Sequence, residues 1–99
     1  MITEGQAIDV LRELRVKKRR VFSSHDFIEE YCKQYETVYI DWLNVYRGTN
    51  RAFQTVHSLI GDFLSDNEGN LTPEYRRTHR ADSENVHGTI DRPMWWEWV

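Results

Sequence analysis

A chain of 99 residues with net charge −3, 39% hydrophobic and 13% aromatic residues has the size of one domain and the aromatic mass of a packed core, which excludes a disordered tail. No apolar run approaches the roughly 18 residues of a membrane span. One cysteine, Cys32, excludes an internal disulfide and a Cys-rich zinc site. Met1 to Gly5 carries neither a basic nor an apolar leader region, so the sequence predicts no secretory signal and a cytoplasmic, reducing location.

Charge is uneven along the chain. Residues 1–22 carry a net +3 and residues 23–99 a net −6. The basic excess ends in Lys17, Lys18, Arg19 and Arg20, and a second group comprises Arg76, Arg77, Arg80 and Arg92. Net acidity counts against tight non-specific nucleic-acid binding but allows a local basic face.

In chain order, Thr3 and Gln6 have capping-box spacing, and Ile2 can staple onto Ala7. Ala7, Ile8, Leu11 and Leu14 then recur at helical spacing. Arg15 to Arg20 suit the negative end of that helix dipole. Val21-Phe22 reads as a short β segment. Ser23 is the expected N-cap of a second helix, with Asp26 closing its capping box and Phe22 and Phe27 as its staple. Phe27, Ile28, Tyr31, Cys32 and Tyr35 form its apolar stripe.

The stretch from Tyr35 to Arg47 fits a strand by alternation, but Val38, Trp42, Val45 and Tyr46 cluster at helical phase, widened by Tyr39 and Leu43. The spacing therefore predicts a helix, with Gly48 at its C-cap and Asn50 capping the next one. That next helix, 51–65, places Phe53, Val56, Ile60, Phe63 and Leu64 on one apolar arc. Arg51, Gln54, Thr55, Ser58 and Asp62 occupy the opposite arc. Gly61 in its interior is expected to allow a close helix contact. After the 66–70 loop, Met94 to Val99 reads as a strand from its aromatic residues, with Tyr75 to His79 as its pairing partner. In that strand Trp96 and Trp98 share one face, and Trp95 the other. An outer-edge position would let the strand pair with a second copy.

Other constellations carry less chemistry. His25, His57, His79 and His87 lack the spacing of a zinc site. His57 borders the apolar arc of the fourth helix and reads as a packed histidine. Ser23-Ser24-His25-Asp26 contains triad residue types, but without a nucleophile elbow the N-cap reading is simpler. No Gly-rich phosphate loop occurs, and no metal or cofactor is expected.

The order of helix, short strand, two helices, amphipathic helix and C-terminal hairpin resembles a winged helix-turn-helix domain. The resemblance is topological and spans nearly the whole chain. It implies an α+β fold, small and mostly helical with a C-terminal β-hairpin. Val21-Phe22 would be the first strand, 51–65 the recognition helix and 74–99 the wing. The extra helix near 37–47 and the net acidity depart from the usual pattern. The expected function is non-catalytic DNA binding, as in a transcription regulator. Arg51, Gln54, Thr55 and Ser58 would read base edges. Lys17, Lys18, Arg19, Arg20, Arg76, Arg77 and Arg80 would hold phosphates of double-stranded DNA. The rival expectation is a protein-interaction or homodimerisation module that uses the C-terminal strand, with Trp95 at the interface.

Overall fold

The computed structural model describes residues 1–80, 83–84 and 90–99. They form a small α+β domain. Its helices are α1 (Glu4–Lys17), α2 (Ser24–Gln34), α3 (Glu36–Val45) and α4 (Ala52–Asp66). Its strands are β1 (Val21–Ser23), β2 (Tyr75–Arg80), β3 (Ser83–Glu84), β4 (Ile90–Asp91) and β5 (Met94–Trp98). β1, β5 and β2 form one antiparallel sheet in that order, and β3 pairs antiparallel with β4. The expected partnership of the two C-terminal strands is thus present, with an irregularity between Arg77 and Arg80.

Both expected capping boxes form. The Thr3 hydroxyl accepts from the Gln6 amide and the Gln6 side chain accepts from the Thr3 amide, each at 3.1 Å. Ser23 and Asp26 do the same at the start of α2, at 3.1 and 2.9 Å. These bonds satisfy amides that the first helical turn leaves open. The α1 stripe differs by one position. Ala7, Val10, Leu11 and Leu14 are buried, and Ile8 is only half-buried, because α1 faces the core through the i, i+3, i+4, i+7 set that starts at Ala7. In α2, Phe27, Ile28 and Tyr31 are buried, whereas Cys32 and Tyr35 sit at the margin.

The α3–α4 connection departs further from expectation. Tyr46, not Gly48, is the C-cap of α3, and a 3-10 turn over Arg47–Thr49 contains Gly48. Asn50 does not cap α4. It adopts a left-handed conformation, φ 58°, which Asn tolerates better than most residues. The Thr49 hydroxyl organises this turn: it donates to the Tyr46 carbonyl at 2.7 Å and accepts from the Arg51 amide at 3.1 Å. Arg51 becomes the N-cap, with no side-chain hydrogen bond to the helix.

The core joins α1, α2, α4 and the inner face of the sheet through Leu11, Phe22, Phe27, Tyr31, Ile60 and Trp96. In α3 only Tyr39 and Trp42 are buried, and Val45, expected on the apolar side, is 69% exposed. In α4, Val56, Ile60 and Leu64 are fully buried, but Phe53 is 44% exposed. Phe53 has the phase of the buried residues but stands in the first turn, beyond the neighbours that cover them. A Cβ on Gly61 would meet nothing within 4 Å, so no close helix contact explains that glycine.

Candidate functional site

The sheet register fixes where the basic residues lie. Val21, Glu97 and Arg76 form one cross-strand row, and Phe22, Trp96 and Arg77 form the next. Arg19 and Arg20 enter β1 at this end of the sheet, and the Trp98 indole donates to the Lys18 carbonyl at 2.6 Å to hold the turn. Arg19, Arg20, Val21, Glu97 and Trp98 line an open depression of about 510 Å³. The fold therefore brings Lys17–Arg20 and Arg76–Arg77 together.

Carboxylates answer most of that charge. The Lys17 ammonium donates to both Glu30 oxygens at 3.2 Å and lies 3.7 Å from Glu13. The hydrogen bond that Lys17 donates to Glu30 pushes the Lys17 pKa up. Lys18 lies 4.0 Å from Asp26. Arg76 donates through Nε to Glu97 at 2.5 Å. Arg77 donates to Glu68 through its amide at 2.7 Å and its Nε at 2.9 Å, and its guanidinium lies 5.7 Å from the centre of the Trp96 ring. Among the described residues, Arg19 and Arg20 are the members of this cluster that form no ion pair. The Arg80 side chain lies outside the described residues.

The Glu68–Arg77 contact has a testable pH signature. The Arg77 amide, helped by its guanidinium, holds the Glu68 carboxyl below its ordinary value of 4.5. A carboxyl with a depressed folded pKa contributes stability above its unfolded pKa and loses it as pH falls through the folded value. Glu68→Gln is expected to be less stable than wild type at neutral pH and to lose less stability below about pH 4.5. Urea melts of both proteins from neutral to acid pH check this; parallel curves would contradict it.

The second set of predicted residues lies elsewhere. Arg51, Gln54 and Ser58 are exposed on the first turns of α4, and Thr55 is half-exposed. Asp62 and Asp66 continue the same outer arc toward the C-terminus. Glu68 and its partner Arg77 sit just past that C-terminus, so a 15-residue helix of about 22 Å separates them from Arg51. The structure thus gives two separate surfaces, an amide-rich helix start with one arginine and a largely neutralised basic sheet end.

β5 is the central strand, so its backbone is already paired on both sides and the expected edge pairing with a second copy does not occur through it. Trp96 is fully buried; its indole donates to the Ser24 hydroxyl at 3.1 Å, and that hydroxyl donates to the Met94 carbonyl at 3.3 Å. Trp98 packs its ring against Phe22 at 4.6 Å. Trp95 is half-buried, on the sheet face that also carries Glu97 and Arg76.

Sequence reasoning missed one polar cluster. The Tyr39 hydroxyl and His57 Nε2 lie 2.7 Å apart and their rings stack, joining α3 to α4. Burial raises the Tyr39 pKa and pushes the Cys32 thiol up to about 11, far from a reactive thiolate. Among the described residues, no group of three His, Cys, Asp or Glu side chains is placed to hold a metal, and no helix is long and apolar enough to cross a membrane. Comparison with known proteins finds no matching family model, no matching curated protein and no matching solved structure.

Proposed function

We propose that this chain is a non-catalytic DNA-binding domain of the winged-helix type, with α4 as its reading helix. The observation that carries this reading is topological. A first helix leads into a short strand, further helices follow, α4 leads through a loop at 67–74 into β2, and β5 returns between β2 and β1. In that arrangement β2, β3, β4 and β5 supply the wing. The domain would work in a reducing compartment such as the cytosol, in the manner of a transcription regulator.

The local chemistry of α4 supports it. Arg51, Gln54 and Ser58 project from the first turns, where helix amides without a side-chain cap favour phosphate. Arginine pairs with guanine through two hydrogen bonds, and glutamine does so with adenine. Asp62 and Asp66 confine the contact to the helix start, because they repel phosphate further along. Binding is expected to be weak and salt-sensitive, since carboxylates offset much of the basic sheet end. Phosphate contacts there would fall first to Arg19 and Arg20.

The experiment is enrichment of sites from a random duplex pool by wild type and Gln54→Ala. The expected result is a shared core site at which the variant loses preference at one base pair, worth about 1–3 kcal/mol. Failure of wild type to enrich any sequence would overturn the assignment of α4 as a reading helix.

A further inference from the structure

We infer that the outer face of α3 is a self-association surface that pairs two copies of this chain antiparallel about a two-fold axis. Glu36, Ile40 and Leu43 recur at i, i+4 and i+7, within roughly 60° of one another around α3, and Arg47 opens the 3-10 turn just past its C-cap Tyr46. Tyr39 and Trp42 take the buried side of α3. Ile40 is 47% exposed, Leu43 is half-buried, and Glu36 and Arg47 are exposed. On α4 the exposed Phe53 ring meets His57, which stacks on Tyr39 of α3.

The order of the stripe identifies the occupant. It reads acid, apolar, apolar, base, and it is symmetric in position about the midpoint between Ile40 and Leu43. Glu36 and Arg47 stand at opposite ends of α3, a 10-residue helix of about 15 Å, too far apart to pair within one chain. Among the described residues neither forms an ion pair. An antiparallel second copy of α3 brings each Glu36 opposite the other copy's Arg47 and each Ile40 opposite the other copy's Leu43. One two-fold axis satisfies all four contacts, as an isologous interface requires. A parallel copy instead sets Glu36 against Glu36 and Arg47 against Arg47. The stripe is short, so the dimer falls at the small end of protein interfaces and its formation depends on concentration. This association stands on α3 and the turn that follows it, and is independent of the DNA reading.

Sedimentation velocity over a series from micromolar to near-millimolar protein tests it, with circular dichroism as the control for folding. Wild type is expected to pass from 11.9 kDa to twice that mass as concentration rises. Ile40→Glu, at an exposed position, is expected to stay folded and monomeric. Glu36→Arg and Arg47→Glu, each alone, set like charges against each other and are expected to weaken association at least tenfold. Mixing these two variants restores opposite charges at both ends and is expected to recover a heterodimer. A wild type that stays monomeric throughout overturns the proposal and leaves the stripe to a different partner. So does a dimer insensitive to Ile40→Glu, or a mixture no more associated than its components.

Discussion

Replacing Trp96 with alanine is expected to cost about 3–5 kcal/mol, the usual range for truncating a large buried aromatic side chain. Trp96 is fully buried in the central strand, opposite Phe22 on one side and Arg77 on the other. Its ring meets Tyr75 edge-on at 5.2 Å, and its indole N–H holds the Ser24 hydroxyl at the start of α2. Truncation leaves a cavity and takes the donor away from that buried hydroxyl. A domain of this size is stable by roughly 5–15 kcal/mol, so the loss is a large share of the whole. The melting temperature is expected to fall by roughly 15–30 °C. Trp96→Phe keeps an aromatic ring and is expected to fall less. A melt of Trp96→Ala within a few degrees of wild type would show that the core does not centre on β5.

Ile60→Ala and Phe53→Ala are expected to separate sharply although both residues share one helical phase. Ile60 is fully buried, and its truncation is expected to cost about 2–5 kcal/mol. Phe53 is 44% exposed, so its ring has less transfer free energy to lose, and its truncation is expected to cost about 1 kcal/mol. Denaturant melts of the two variants measure the difference. Equal losses would mean that Phe53 is covered in solution, and a concentration-dependent loss at Phe53 would point to cover from the second copy proposed for α3.

The helices and their starts were legible in the sequence where the determinants are local. Thr3 with Gln6 and Ser23 with Asp26 place two helix starts because a cap and its partner stand three residues apart. The partnership of β2 with β5 was legible from the aromatic content of Met94 to Val99. What escaped depends on distant residues. Helical phase puts Phe53 on the buried arc, but where the neighbouring elements end decides its exposure. Gly48 and Asn50 misled because a 3-10 turn, held by Thr49, sits between α3 and α4. The central place of β5 follows from its pairing with β1, more than 70 residues away in sequence.

For the candidate site, the polar face of α4 was readable and its isolation was not. Arg51 and Arg77 look like parts of one basic surface until α4 is seen to lie between them. Asp26, Glu68 and Glu97 each offset a cation remote in sequence, so the charge of Lys18, Arg77 and Arg76 could not be judged from the chain alone.

Binding of duplex DNA by the start of α4 is measured by fluorescence-anisotropy titration of a labelled duplex at several salt concentrations. Wild type is expected to bind near about 50 mM salt and to weaken linearly in log–log form. Arg51→Ala is expected to reduce that slope by about 0.9 if its side chain holds a phosphate, or to shift base preference with the slope unchanged if it reads a guanine. Arg77→Ala is expected to change binding less than Arg51→Ala, because Glu68 already offsets its charge. No binding by wild type at low salt, or binding indifferent to Arg51 but lost with Arg77, would rule out α4 as the DNA-binding element.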